Sequence, residues 1–301
     1  MAERLDINVS ALNGHGDFQL CASHYKPQAN SRDIILFCLP GGGASAEFFD
    51  LAPDYSFVNR MTAFGYDVIT MDHPGTATNP LPDNHPFLMP RQSADYIFSA
   101  MSEIIKRPSL RSKSLIGIGH SMGGMMISLI FGRHKCFKAI ALLGSSAGGL
   151  EWGLSEDEKA YIDKPDELAR DLEKLTLSKF KQEFIANPGG GPSGKSITFG
   201  GETPELTQRL REISCELYSA GGMMSMTCGS FQKEVDAMDV PLFFAFGDHD
   251  IGIPPIEAPK AYVNAPSTEL LILENTGHNS LAFSSISTLC IRMNDWLKKI
   301  T

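Results

Sequence analysis

The sequence predicts an α/β protein: a mostly parallel sheet flanked by helices, with a helical insertion. Three observations predict it. Short unbroken apolar runs recur along the chain, helix-like stretches separate them, and the rhythm stops over residues 146–240 before resuming. A strand covered on both faces reads as a continuous apolar run, and alternation of strand and helix builds a parallel sheet.

The runs are Ile34–Leu39, Asp67–Met71 and residues 114–119, 138–143, 241–247 and 269–273, each bounded by Gly, Pro or charged residues. An earlier strand over residues 18–24 is expected to pair at one edge. Helices are expected over residues 46–64, 91–106, 121–134 and 284–299. The core is assigned to residues 1–145 and 241–301, with 146–240 inserted as a helical cap or lid. Inside the insertion, Leu168, Leu172, Leu175, Phe180 and Phe184 recur at helical spacing within residues 166–186. A second helix is expected over 203–219. The patch Gly221-Gly222-Met223-Met224-Ser225-Met226 suits either packing of lid on core or an adaptable apolar pocket. Trp152 and Phe48 are candidate pocket-lining residues.

Composition excludes several classes. Hydrophobic residues make up 43% of the 301-residue chain and charged residues 20%, which describes a folded domain with a sizeable core and not a disordered chain. A net charge of −9 with no basic patch argues against nucleic acid or an anionic membrane as partner. Cys21, Cys38, Cys136, Cys215, Cys228 and Cys290 are scattered, with no C-x-x-C pair and no metal-ligand spacing. They read as free thiols in a reducing compartment. The N-terminus has no apolar leader and no run reaches ~18 apolar residues, so a cytoplasmic protein without a membrane span is expected.

Gly119-His120-Ser121-Met122-Gly123 follows an apolar strand and opens a helical pattern, the context that G-x-S-x-G requires. A serine on so tight a turn needs small neighbours two residues away, and the turn holds its hydroxyl proud of the sheet. That hydroxyl needs a base, and the base needs an orienting carboxylate. His278, in Asn275-Thr276-Gly277-His278-Asn279 after the last strand, is the candidate base. Asp250, in Gly247-Asp248-His249-Asp250, is the preferred acid, with Asp248 as the alternative. Both segments lie where strands end, the edge on which α/β sheets place their sites. His120 is expected to be tied up in the turn, and His249 to lie on the surface.

Leu39-Pro40-Gly41-Gly42-Gly43 follows a strand and precedes the elbow. Its glycines allow close backbone approach to a developing oxyanion. The expected donors are the N–H groups of Met122 and Gly42, with Gly43 an alternative to Gly42. Gly189-Gly-Gly-Pro-Ser-Gly194-Lys195-Ser196 satisfies the P-loop pattern but lacks the strand before and the helix after, so it is read as a loop. No metal or organic cofactor is called for.

Together, Gly-His-Ser-Met-Gly-Gly, Gly-Asp-His-Asp and Gly-His-Asn resemble the α/β-hydrolase superfamily over residues 18–144 and 241–299. Asp72-His73-Pro74-Gly75 resembles that family's loop after the next strand. Pro40-Gly41 stands where the family often has His-Gly, and the stretch from Leu36 to Phe49 is locally similar to the oxyanion loop of type II thioesterases. The resemblance implies a serine hydrolase acting on an ester or thioester of a small or lipophilic acyl substrate. Lactonase, C–C hydrolase, acyltransferase or lyase chemistry on the same triad, and a non-catalytic ligand receptor, are the alternatives.

Overall fold

The strands run in the order β1 (Glu3–Ser10), β2 (Asp17–Tyr25), β3 (Ile34–Leu39), β4 (Asp67–Met71), β5 (Ser114–His120), β6 (Ala139–Leu143), β7 (Phe184–Ile185), β8 (Leu217–Tyr218), β9 (Leu242–Gly247) and β10 (Thr268–Leu273). In this computed structural model, which describes residues 2–10, 17–28, 30–150, 153–186 and 202–300, eight of them form one sheet. Their spatial order is β1-β2-β4-β3-β5-β6-β9-β10. Only β2 runs against its neighbours; every pairing from β4 across to β10 is parallel. The small β7–β8 ribbon stands apart.

Strand β3 shows why the apolar runs are unbroken. Ile35, Phe37 and Leu39 enter the core on one face, while Ile34, Leu36 and Cys38 enter the core on the other. Helices α2 (Pro90–Ile105) and α3 (Met122–His134) cover the first face. On the second lie α1 (Phe57–Ala63) and α9 (Ile286–Ile300). Local chemistry starts these helices. Ser56 Oγ accepts the Asn59 N–H at 2.9 Å to cap α1. At α2, Pro90 takes the first turn and Gln92 Oε1 accepts the Met89 N–H at 3.1 Å.

The fold departs from expectation in three places. Residues 18–24 belong to β2, which is interior; the edge is β1, whose Leu5, Ile7 and Val9 point inward between exposed neighbours. The helix expected over 46–64 is two 3₁₀ turns, Ala46–Phe49 and Pro53–Tyr55, followed by α1. Pro53 supplies no N–H to a continuing helix, and Ser56 starts a new one. The two helices expected in the insertion are shorter, and each gives way to a ribbon strand.

Between β6 and β9 the chain forms α4 (Glu156–Lys159), α5 (Pro165–Phe180), β7, α6 (Pro204–Glu212), β8, α7 (Ser219–Met226) and α8 (Gln232–Asp236). Leu168 and Leu172 of α5 are buried, as their spacing requires. Lys181, at φ 65°, closes α5 in the left-handed region. The ribbon clamps onto the core. Tyr218 Oη donates to the Leu88 carbonyl at 2.6 Å, and Leu88 N–H donates to the Glu183 carboxylate. The Phe184 ring covers Gly75, where a Cβ would lie 2.1 Å from it. Trp152 and the P-loop-like residues 189–196 lie outside the described residues.

All six cysteines are free thiols; Cys21, Cys38 and Cys290 are buried and the other three partly so. Among the described residues, no helix is long and apolar enough to cross a membrane. No group of three or more His, Cys, Asp or Glu side chains there could hold a metal ion.

Candidate active site

Strand β5 ends at His120, and the chain enters α3 through a single residue. Ser121 makes this turn at φ 52°, ψ −122°, a conformation that L-residues rarely adopt. The glycines of the motif answer to close contacts. A Cβ on Gly119 would stand 2.4 Å from the Gly123 carbonyl oxygen, and one on Gly123 would stand 2.2 Å from that of Leu39. Ser121 N–H donates to the Leu143 carbonyl at 2.8 Å, and Gly124 N–H to the Ser121 carbonyl at 2.9 Å. The turn is thus held by three strands and a helix. Met122 is the first residue of α3, where N–H groups lack intrahelical acceptors and the helix dipole is positive.

The triglycine loop runs against this elbow. A Cβ on Gly41 would lie 3.2 Å from Ser121 Cβ, and one on Gly42 would lie 3.4 Å from Met122 Sδ. Two side chains hold the loop from behind. His73 Nε2 donates to the Pro40 carbonyl at 2.8 Å, and burial lowers the His73 pKa, which keeps the ring neutral. Asp72 accepts the Ala46 N–H at 2.6 Å, the Thr78 hydroxyl at 2.6 Å and the Thr78 N–H at 3.2 Å. The sequence singled out Asp72 and His73 by likeness alone. Their task of anchoring the loop required the structure.

His278 and Asp250 meet at the carboxyl edge of the sheet, with His278 Nδ1 2.6 Å from Asp250 Oδ1. Their side chains are only 7% and 2% exposed. Asp250 Oδ1 also accepts the Ile251 N–H at 2.7 Å. Burial opposes ionisation of Asp250. The adjoining His278 charge and hydrogen bond and the Ile251 N–H outweigh it, and the carboxyl sits below the usual carboxylate range. Gly144, at φ 54°, backs the pair so closely that a Cβ would lie 3.0 Å from His278 Nδ1 and 3.1 Å from Asp250 Oδ2. Asp248 points elsewhere. It accepts the N–H groups of Asn275 and Thr276, each at 2.9 Å, and so ties the β9 loop to the β10 loop. His249 is exposed, 3.9 Å from Asp248.

His120 is buried and donates from Nε2 to the His278 carbonyl at 2.9 Å. Phe48 stacks on its ring at 4.4 Å and does not line either cavity that Ser121 lines. Burial, with the neighbouring His278 charge, lowers the His120 pKa from 6.5 to about 3. The unfolded chain therefore takes up this proton first as pH falls. The stability owed to neutral His120 is complete above about pH 6.5 and is lost progressively towards pH 3. His120→Asn is expected to give a shallower loss in denaturant melts across that window. Identical slopes for variant and parent would contradict a neutral buried His120.

Ser121 and His278 line two cavities that share Leu150, Ser225 and Ile251. One is a small pocket of about 30 Å³ lined also by Met125, Gly144, Ser145, Ser146, Phe246 and Ile253. The other is an open cleft of about 190 Å³ reaching Gly41, Gly42, Met122, Phe180, Leu217 and Met226. The methionine-rich α7 serves both expected ends: Met223 and Met224 are buried in packing, while Gly222, Ser225 and Met226 face the cleft.

A parallel sheet with a strained serine, a buried His–Asp pair and a glycine loop at its carboxyl edge defines an α/β enzyme scaffold. The chain belongs to the alpha/beta hydrolase family, whose model matches residues 35–285. Comparison with the curated proteins finds no matching relative. Among solved structures, it is similar to a monoacylglycerol lipase from Paleococcus ferrophilus, with TM-score 0.67 and 15% identity over 94% of this chain and 100% of that one. It is also similar to an esterase from Exiguobacterium antarcticum, with TM-score 0.65 and 18% identity over 98% and 100%. A thermophilic esterase from Thermogutta terrifontis gives TM-score 0.61 and 13% identity over 99% of each chain. At these identities the likeness is one of fold.

Proposed function

We propose that the protein is a serine hydrolase that cleaves a carboxylic ester or thioester through an acyl-enzyme intermediate. The observation that carries the reading is the buried His278–Asp250 pair at 2.6 Å, whose His278 lines the same cavities as Ser121 in its strained turn. Asp250 accepts at Nδ1 and so leaves Nε2 as the nitrogen that acts on the hydroxyl. Ser121 Oγ attacks the acyl carbon as its proton passes to His278. His278 returns that proton to the leaving group. Water, deprotonated by the same imidazole, then releases the acid. The N–H groups of Met122 and Gly42 hold the oxyanion.

Residues 146–240 act as the cap that selects substrate. Leu150, Phe180, Leu217 and Met226 make the cleft wall apolar, which suits a lipophilic group. The small pocket, at about 30 Å³, has room for roughly two waters or a substituent of two to three heavy atoms. The favoured substrate therefore carries a short group on one side of the scissile bond and a long apolar group on the other.

A fluorophosphonate probe, followed by mass mapping, tests the chemistry: labelling is expected at Ser121. No label on folded protein, under conditions where a control hydrolase reacts, rules the mechanism out. Panels of p-nitrophenyl esters, alkyl esters, acyl thioesters and lactones test the substrate. Turnover is expected to fall steeply with length on one side of the bond and to tolerate length on the other. Equal tolerance on both sides would refute the two-cavity assignment.

A further inference from the structure

The insertion does more than roof the cleft: part of it is paired with the loop proposed to hold the oxyanion. Beyond α6 the chain runs extended past that loop. Ile213 accepts the Ser45 N–H at 2.9 Å, and Cys215 N–H donates to the Gly43 carbonyl at 3.0 Å. Ala44 and Ser214 stand opposite each other as an isolated antiparallel bridge. The hydrogen bonds fall on either side of that bridge, at Ser45 and at Gly43, the residue next to Gly42. Leu217 then lies over Gly42 itself, its Cδ1 2.7 Å from where a Cβ would be.

This segment is stitched down at further points. Ile213 is 3% exposed and packs into the core on the α1–α9 face. Ala77 N–H donates to the Glu216 carboxylate at 3.0 Å. Arg209 donates from Nε to the Leu51 carbonyl at 3.2 Å and pairs with Glu47. The glycine loop is therefore held between two supports. His73 and Asp72 grip it from the core, and residues 213–217 grip it from the insertion.

We propose that Ile213, Cys215 and Leu217 are positioning residues for the oxyanion donor at Gly42. A loop of three glycines has no side chains to fix its own carbonyl and N–H directions. Preorganised donors are worth most when they need not reorient as charge develops. The backbone of Ile213 and Cys215 supplies that order at Gly43 and Ser45, and the Leu217 side chain excludes other paths for Gly42. The insertion then contributes to the chemical step as well as to substrate fit.

The inference rests on the ester-hydrolase reading above, and its test separates the two. p-Nitrophenyl acetate is used because a short acyl group asks little of the cap. Cys215→Pro removes the N–H that reaches Gly43, while Cys215→Ala keeps it. Cys215→Pro is expected to lower kcat by roughly 10–100-fold with KM within about twofold, and Cys215→Ala to restore kcat to within about threefold of the parent. A folded Cys215→Pro protein with kcat within about threefold of the parent, or with its loss confined to KM, overturns the positioning role. If Cys215→Pro does not fold, Leu217→Gly decides on the same split. A fall in kcat of about fivefold at constant KM supports the role, and a rise in KM at constant kcat overturns it. An inactive, unlabelled parent protein sinks both readings. An active parent with an indifferent variant sinks only this one.

Discussion

Ser121→Ala is expected to reduce kcat by on the order of 10⁴–10⁶-fold while changing KM only a few-fold. The reason lies in where the hydroxyl stands. The rest of the cleft wall does not rest on the Ser121 hydroxyl: Leu150, Phe180, Leu217 and Met226 form its apolar side, and the elbow is held by backbone contacts at Leu143 and Gly124. Removing one oxygen leaves substrate binding and fold in place and removes the atom proposed to form the acyl bond. Alanine must occupy the same positive φ, so the backbone cost is shared and cancels in the comparison. Steady-state kinetics on an activated ester check this, with circular dichroism to confirm the fold. Retention of more than about a tenth of the parental kcat would remove Ser121 from the mechanism.

Asp250→Asn is expected to cost on the order of 10³–10⁴ in kcat. An amide places against His278 Nδ1 either a donor, which selects the wrong tautomer, or a neutral oxygen, and in both cases the imidazole loses the charge that stabilises its protonated form. The 2% exposure of Asp250 denies solvent any part in compensation. Asp248→Asn provides the contrast. It keeps an acceptor for only one of the two N–H groups at Asn275 and Thr276, and its expected cost is about 1 kcal/mol of stability with kcat within about threefold. Thermal melts and kinetics on the two variants distinguish a functional acid from a loop tie. The reverse ranking, with Asp248→Asn inactive and Asp250→Asn active, would overturn the assignment.

The elbow was legible in the sequence because sterics leave little choice. Gly119 and Gly123 face backbone at under 2.5 Å, so the residues that make the turn possible are the residues that reveal it. The sheet from β3 onward was legible for a related reason: strands with both faces buried must be apolar throughout. Asp250 and Asp248 were harder to separate. They are two residues apart in one loop, and the groups that claim Asp248 come from the β10 loop, a contact that no local pattern carries. Strand β1 lies outside the expected strands although its signal is plain. Leu5, Ile7 and Val9 alternate with polar residues, the period-two pattern of a strand covered on one face. The β7–β8 ribbon had no signal to find. Each of its strands is two residues long, and what fixes them is Tyr218 on Leu88 and Phe184 on Gly75, contacts made across the fold. The helix expected over 46–64 does not form in one piece because Pro53 and Ser56 punctuate it.

The backbone angle at residue 121 has an implication for the chain's history as a material. Holding a residue with a side chain at φ 52° costs on the order of 1–3 kcal/mol, a sizeable share of what keeps a domain folded. Glycine would sit there at ease, flanked as it is by Gly119 and Gly123. A polymer shaped for durability alone would carry a third glycine at this position. This one carries a hydroxyl and tolerates a weaker fold, the mark of a molecule whose form answers to something outside itself.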